Sequence, residues 1–420
     1  MSHTSLLILA DDLSGAADCA IAFAAAGRRT AVTLTATRAM SGADVVAVDT
    51  DTRRMSPAEA ARCAGAAWQA QRAPGRRLYK KIDSTLRGNW AAEVAALQPL
   101  AGLAIVAPAF PATGRTVDGG RVFVRGVPLG DTETWKLEHA ERPADLTVML
   151  ESVGLTTALL GADALRGEQH ALHAAIATVA QSGTQALIVD AQTGTDLRSL
   201  AQATLALDAP CFWVGSGGLA RELAALDELF SAVPSGGAEA LPTHARDGAV
   251  LILVGSLSAV SAQQCAMLRE RAGVDEVIVP PAVLRDGALH PQWAAWQSRI
   301  AGYLATRTDL LTRIGRDEAF NPAEGAQLSA ALAALVAPCF EHLGGLIVTG
   351  GETARATLGA AGIESLRLLS EIEPGVAVAR PHGHEHITVV TKAGAFGTEH
   401  ALYGAYLHLR GIAEVARMDS

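Results

Sequence analysis

The sequence predicts an α/β protein of two domains, each with a largely parallel sheet flanked by helices. Three observations carry that prediction. Short apolar, β-branched runs alternate with longer alanine-rich stretches of helical period, the pattern of a parallel sheet covered on both faces. The 420 residues exceed one ordinary core. The alternation breaks once, at 231–248, where SAVPSGGAEALPTHARDG carries two prolines and small residues without a period, and then resumes. This places a first domain at 1–235, a linker at 236–247 and a second domain at 248–420, with the boundary near residue 240.

Taken in order, the strand candidates of the first half are LLILA (6–10), TAVTL (30–34), DVVAVDT (44–50), LYKKID (78–83), LAIVAPA (103–109), ALIVDA (186–191) and CFWVG (211–215). Each is short, apolar and rich in β-branched residues. Helix-period segments such as AADCAIAFAAAG (16–27) and PAEAARCAGAAWQAQ (57–71) lie between them. VFVRGVPLG (122–130) reads instead as a small hairpin turning at Arg125-Gly126. The second half offers AVLILVGS (249–256), EVIVP (276–280), GLIVTGG (345–351), LRLLS (366–370) and ITVVTKAG (387–394).

Composition narrows the class. Half of the residues are hydrophobic and only 4% aromatic, which suits small-residue packing of helices on a sheet in a soluble protein. The net charge is −9 without a long charged run, so no nucleic-acid-binding surface is expected, although a local cationic pocket remains compatible. The five cysteines are scattered, odd in number and free of CxxC spacing, which argues against a disulfide framework. The N-terminal MSHTSLLILADD has no basic region, and its apolar run is too short for a signal peptide or a membrane span. A cytoplasmic enzyme is the expectation.

Open α/β sheets bind ligands beyond the carboxyl ends of their strands, so polar residues that follow apolar runs are the candidates. ADDLSGAAD sets Asp11 and Asp12 at the end of the first strand. One carboxylate can cap the next helix, as Ser14 also can. The second needs a cation, a metal or a substrate hydroxyl. DTDTRR (49–54) offers Arg53 or Arg54 as a planar fork for an anion, against the alternative of an ordinary surface arginine. KKIDSTLRGN (80–89) packs Lys80, Lys81, Asp83, Ser84, Thr85 and Arg87 where a strand ends. A helix capped by Ser84 or Thr85 would make an anion cradle there, and a solvated loop is the alternative.

The second half repeats the theme. VGSLSAVSAQQ (254–264) brings Gly255, Ser256 and Ser258 to a helix start, as a phosphate contact or a plain cap. VTGGETARA (348–356) opens at Gly350-Gly351 and continues through Glu352 and Thr353, where paired glycines admit a ligand close to the backbone. TKAGAFGTEHAL (391–402) adds Lys392, Gly394 and Gly397 before another expected helix start. HGHEHI (382–387) alternates three histidines, but the preceding ARP favours a loop or edge strand, so no metal site is assigned. No GxxxxGK[ST], GxGxxG, HExxH or GxSxG occurs.

ADDLSGAAD, KIDSTLRGN, GGETA and TKAGAFG occur in the order found in the four-carbon acid sugar kinases, and the chain resembles that family over essentially its whole length. PAFPATGRT (108–116) and GSLS (255–258) also resemble family segments, while Ser14 stands where many members have threonine. The resemblance implies an N-terminal sugar-acid-binding domain, a C-terminal nucleotide-binding domain and an active site in the interdomain cleft. It implies ATP-dependent phosphorylation of the terminal hydroxyl of threonate, erythronate or a 3-oxo-tetronate. Carried over, Asp12, Arg53, Lys81, Asp83 and Ser84 lie in the acid site, and Ser256, Gly350, Gly351, Glu352, Thr353 and Gly394 contact ATP.

The residues themselves add Asp11 and Arg87 to the acid site, and Ser258, Lys392 and Gly397 to the nucleotide site. Arg53, Lys81 and Arg87 are the candidates for the acid's carboxylate, with ATP phosphates at helix starts near 350–353 and 394–397 and Mg²⁺ bridging them. Asp12 is the first choice of catalytic carboxylate and Asp83 the second. The expected partners are a small sugar acid and ATP, without nucleic acid or membrane, and a homodimer is left open. The rivals are a non-catalytic sugar-acid sensor with a degenerate nucleotide site and an oxidoreductase on the same acids, the latter disfavoured by the missing dinucleotide fingerprint.

Overall fold

The computed structural model describes residues 5–36, 40, 42–133, 135, 136, 143–230, 244, 247–256, 258–318, 321, 324–394 and 397–412. The chain forms two compact units, Met1–Gly237 and Ala238–Ser420. Of the expected linker at 236–247, all but His244 and Asp247 lie outside the described residues.

The first unit runs β1 (Ser5–Ala10), α1 (Leu13–Ala25), β2 (Thr30–Thr33), β3 (Val45–Asp49), α2 (Pro57–Gln71), β4 (Arg76–Lys81), α3 (Trp90–Ala101) and β5 (Leu103–Ala107). A small sheet of β6 (Arg115–Asp118), β7 (Arg121–Val124) and β8 (Val127–Pro128) follows. Then come α4 (Leu146–Glu151), β9 (Thr157–Leu160), α5 (Ala162–Leu165), α6 (Gln169–Gln181), β10 (Ala186–Val189), α7 (Gly194–Leu205), β11 (Cys211–Gly215) and α8 (Gly217–Ala224). The main sheet has the order β2-β3-β1-β4-β11-β5-β10-β9, and every pairing is parallel. Helix α1 packs on α8, α8 on α7 and α7 on α6, while α2 packs on α3 and α3 on α4, which gives one layer on each face. That is why the central strands are apolar without alternation: Leu6, Leu7, Ile8 and Leu9 are all buried. The alanines of α1 at 16, 17 and 20 are buried too and let the helix lie close to the sheet.

From β1 the chain crosses by α1 to β2 on one side, whereas from β4 it crosses by α3 to β5 on the other. Neighbouring strands whose exits diverge open a crevice at their carboxyl ends. Ala10 pairs with Lys81, so the Asp11-Asp12 and Ile82-Asp83 exits stand level at its mouth. The expected hairpin forms at β7–β8, and Arg125 and Gly126 have φ of 51° and 81°, as a mirror-image two-residue turn demands. The small sheet is tied to β10: Val117 exchanges backbone bonds with Ala191, and the Asp190 carboxylate accepts from the Gly119 and Gly120 amides at 2.8 and 2.9 Å.

The second unit runs β12 (Ala249–Val254), α9 (Ala259–Ala272), β13 (Asp275–Val279), α10 (Pro281–Asp286), α11 (Trp293–Ala305), β14 (Leu310–Ile314), α12 (Gly325–Val336) and β15 (Leu343–Thr349). It ends with α13 (Gly351–Ala360), β16 (Ser365–Glu373), β17 (Val376–Pro381), β18 (Thr388–Lys392) and α14 (Ala401–Arg410). The order is β13-β14-β12-β15-β18-β17-β16, parallel as far as β18 and antiparallel beyond it. Helices α9 and α14 pack together, and α12 packs with α10, α11 and α13. Exits diverge again, here between β12 and β15. The first four strands of both units share one arrangement, the second, third, first and fourth in chain order lying side by side.

Several expectations change. Strands β6, β9, β14 and β17 form where none was expected. HGHEHI forms the loop between β17 and β18, as expected, while the preceding ARP ends β17, an interior strand between β16 and β18, where buried Arg380 donates to Thr388 Oγ1 at 3.0 Å and to the Glu385 carbonyl at 3.2 Å. Pro381 is tolerated because it is the last residue of its strand. No helix begins at Ser84 or Thr85. The segment turns through Leu86 and Gly88, both at positive φ, and α3 starts at Trp90. Nor does one begin at Gly394 or Gly397, and α14 starts at Ala401. Among the described residues no helix is long and apolar enough to cross a membrane.

Candidate active site

The paired aspartates are held by one arginine. Arg53 grips Asp11 with two parallel bonds, Nε to Oδ2 and Nη2 to Oδ1, both 2.9 Å, and donates through Nη1 to Asp12 Oδ2 at 2.9 Å. Such a fork-to-fork pair fixes direction as well as charge. Asp12 is also the N-cap of α1, its Oδ1 accepting from the Gly15 amide at 2.8 Å. The two aspartates therefore do not divide into one cap and one cation partner: Asp12 caps α1 and also bonds Arg53, and Asp11 anchors Arg53. Burial raises Asp11, but the Arg53 charge and bonds outweigh it and hold the carboxyl below its usual range. Gly88 closes over the pair. Its φ is 82°, and a Cβ there would sit 2.6 Å from Asp11 Oδ2.

The exit of β4 supplies the other expected groups. Lys81 is buried, and its Nζ donates to the Ile82 carbonyl at 2.9 Å. Burial opposes its charge, but Cys19, Asp18, Asp12 and Asp83 outweigh that and raise its pKa. Asp83 accepts from the Thr85 amide at 2.8 Å, from the Thr85 hydroxyl at 2.5 Å and from Arg87 Nη2 at 2.7 Å, and Arg53 Nη2 lies 3.7 Å away. Against burial, Arg87 and Arg53 hold Asp83 well below the carboxylate range. Thr85 thus closes a turn on Asp83 rather than capping a helix. Ser84 is buried beside it. Lys80 points elsewhere, to Glu93 at 2.8 Å within the core.

Other residues of this site escaped the sequence reading. The Tyr79 hydroxyl donates to the Ser216 carbonyl at 2.5 Å. Ser216 caps α8, and a Cβ on Gly217 would sit 2.6 Å from Asp18 Oδ2. Burial pushes the Cys19 thiol beside them up to about 12, against the pull of Lys81. The signal was present, because GSGG at 215–218 follows an apolar strand, as every motif singled out does. Arg115, in the PAFPATGRT segment, interacts electrostatically with Asp83 and Asp18.

In the second unit, Val254 pairs with Thr349 and Thr349 with Lys392, so the GSLS, GGET and TKAG exits lie side by side. Gly350, at φ 91°, donates to the Lys392 carbonyl at 2.8 Å, and Gly351 opens α13. Thr353 is buried and bonds Ser329 at 2.9 Å, so its hydroxyl serves packing and only its backbone belongs to the helix start. Glu352 is exposed. Ser258 caps α9, bonds Ser256 at 3.1 Å and, with Ser261, donates to the Gly394 carbonyl. A Cβ on Gly394 would sit 2.5 Å from Ser256 Oγ. Lys392 Nζ donates to the Ala393 and Gly394 carbonyls at 2.9 and 3.2 Å, and burial lowers its pKa to about 8, against Glu373. A Cβ on Gly397 would sit 2.5 Å from Glu373 Oε1, and Glu373 also accepts from Thr398. Of the alternating histidines, His382 bonds Ser365 at 3.0 Å and the His384 and His386 rings lie 6.1 Å apart. Among the described residues no group of three or more His, Cys, Asp or Glu could hold a metal ion.

A carboxylate–guanidinium crevice in one unit and a glycine-lined helix start with a lysine in the other are the parts from which a phosphotransferase is assembled. Residues 6–223 match the Sugar-binding N-terminal domain family and residues 251–402 the Nucleotide-binding C-terminal domain family. The chain belongs to the four-carbon acid sugar kinase family. It is 55% identical over 408 residues to a D-threonate kinase of Cupriavidus necator, covering 96% of this chain and 97% of that one. A D-threonate kinase of Bordetella bronchiseptica is 33% identical over 419 residues, covering 96% and 97%. A solved structure from Salmonella typhimurium LT2 shares the fold with a TM-score of 0.79 at 24% identity, covering 96% of this chain and 98% of that one.

Proposed function

We propose that this protein transfers the terminal phosphoryl group of ATP to the terminal hydroxyl of D-threonate. The observation that carries the substrate is the full-length similarity to a D-threonate kinase at 55% identity. The site geometry supports the roles. We assign the acid to the β1–β4 crevice of the first domain (1–235) and the nucleotide to the β12–β15 crevice of the second (248–420). Transfer requires the two sets of strand ends to meet around the reacting groups and exclude water.

Three carboxylates compete to orient the attacking hydroxyl. Asp11 is buried and bonded through both oxygens to Arg53. Asp83 is held low by Arg87 and Arg53 and accepts from Thr85 and Arg87. Asp12 is the most exposed of the three, and its position is fixed by the α1 start and Arg53. Asp12 therefore receives the hydroxyl, as a rigid acceptor that aims the oxygen and takes its proton as the phosphorus–oxygen bond forms. Lys81, charged and beside Asp12, offsets negative charge there.

On the nucleotide side, the bare Gly350 and Gly394 backbone, the amides opening α13 and Lys392 fit a phosphate chain. Their oxygen donors are the Ser256 and Ser258 hydroxyls and one carboxylate, Glu352, which fits a magnesium ion held mostly by phosphates and water. ATP with Mg²⁺ supplies the phosphoryl group and charge neutralisation. The test is a coupled ADP-release assay across the stereoisomers of threonate, erythronate and 3-oxo-tetronate. D-threonate gives the highest kcat/KM if the proposal holds, and higher kcat/KM on another acid overturns the assignment.

A further inference from the structure

The two lysines that end β4 part across the sheet. Lys81 lies against the start of α1, where a Cβ on Gly15 would sit 3.1 Å from its Nζ. Lys80 turns to the opposite face and meets α3, its Nζ 2.8 Å from Glu93 Oε2, with both side chains fully buried. An ion pair buried this deeply is a poor source of stability, because apolar side chains of similar volume often replace one without loss. Its worth lies in what it holds in place.

What it holds is the exit of β3. Thr52 is fully buried, and its hydroxyl donates to Glu93 Oε1 at 2.6 Å. With that proton committed, the Thr52 oxygen accepts from the Thr50 hydroxyl, 2.9 Å away, and the Thr50 amide donates to the Ala10 carbonyl at 2.8 Å. Asn89, four residues before Glu93, donates to the Thr52 and Met55 carbonyls at 3.1 and 2.8 Å. Arg53 lies between these two anchors. Just before them Asp51 has a φ of 53°, a left-handed conformation that a residue other than glycine keeps where its surroundings impose it. One path of contacts therefore runs from Lys80 through Glu93 and Thr52 to the backbone that carries Arg53, and by Thr50 to the residue before Asp11.

We propose that Glu93, neutralised by Lys80, is a positioning residue for the acid site: through the Thr52 hydroxyl it fixes the backbone from which Arg53 reaches Asp11, Asp12 and the entering acid. This rests on the kinase reading above and deepens it. Glu93 and Lys80 are fully buried, so they act through Thr52 and not on the substrate.

The test measures KM for D-threonate, KM for ATP and thermal unfolding in wild type, Thr52→Val, Thr52→Ser and the double variant Lys80→Met/Glu93→Leu. Thr52→Val keeps the shape and removes the donor, so an Arg53 held less firmly should raise KM for D-threonate about 10-fold, with KM for ATP unchanged. Thr52→Ser restores the hydroxyl and most of the wild-type value. Lys80→Met/Glu93→Leu leaves no buried charge and keeps Tm near wild type, yet weakens the acid as Thr52→Val does. Introduced into Arg53→Lys, Thr52→Val should add little further loss, because both substitutions act on the same contact. An unchanged KM for D-threonate in folded Thr52→Val overturns the assignment. So does a loss shared equally by D-threonate and ATP, or one that persists in full in the Arg53→Lys background. Wild-type enzyme without turnover on any four-carbon acid would instead refute the kinase substrate itself, and the positioning role with it.

Discussion

Replacing Arg53 with methionine keeps most of the side chain's volume and removes its charge. Asp11 is then a buried carboxylate, its side chain 4% exposed, without the fork that neutralised it. Breaking a buried pair by removing one partner costs about 3–5 kcal/mol. Lys80 and Lys81 still favour the Asp11 charge, so the lower end applies. At roughly 2–4 °C per kcal/mol for a domain of this size, the first unit should lose about 6–12 °C in Tm. The sign with pH follows from linkage. In the wild type Asp11 sits below its unfolded value, so its stabilisation is present above that value and is lost only as pH falls through the folded one. In Arg53→Met burial dominates and lifts Asp11 above the unfolded value, so the loss grows as pH rises from acid toward neutral. Thermal unfolding by circular dichroism at pH 5 and pH 8 reads both effects. The double variant Arg53→Met/Asp11→Asn should recover most of the stability. A loss below about 1 kcal/mol, or one that is independent of pH and untouched by Asp11→Asn, would refute the reasoning.

Three further outcomes are expected. Asp12→Asn should lower kcat on D-threonate by about 10²- to 10⁴-fold with KM for ATP little changed, and near-normal turnover in a steady-state assay would remove Asp12 from the mechanism. Lys392 loses its proton as pH rises through about 8, so KM for ATP should climb between pH 7 and pH 9 in the wild type and stay flat in Lys392→Arg, whose charge persists. Gly88→Ala forces a side chain into left-handed backbone against Asp11, so it should cost about 1–3 kcal/mol in chemical denaturation and reduce turnover, leaving ATP binding intact.

The strands at the centre of each sheet were legible because burial on both faces leaves them no polar residues to spare, as VVAVD at β3 and AVLILV at β12 show. Strands β6, β9, β14 and β17 were hidden by polar or exposed residues within them. Strand β9 is only partly buried, β14 carries Thr312 and Arg313 within five residues, and β17 carries Arg380 and Pro381. The helix expected at Ser84 failed for a local reason: Asp83 claimed the Thr85 amide and hydroxyl, and α3 starts after Asn89 without a side-chain cap bond. In the site, Asp11, Asp12, Arg53, Lys81, Asp83 and Arg87 were expected together and are found together in the first unit. What the sequence could not display was direction. Arg53 turns to the aspartates, and the Thr353 hydroxyl turns inward to Ser329.

The thiol of Cys19 has a consequence for handling the enzyme. It lies within the electrostatic reach of Lys81, where a more exposed cysteine would ionise, yet burial keeps it protonated to about pH 12. Alkylating agents and mild oxidants react with the thiolate. Iodoacetamide or hydrogen peroxide at neutral pH should therefore leave Cys19 unmodified, and activity should survive purification without added reductant.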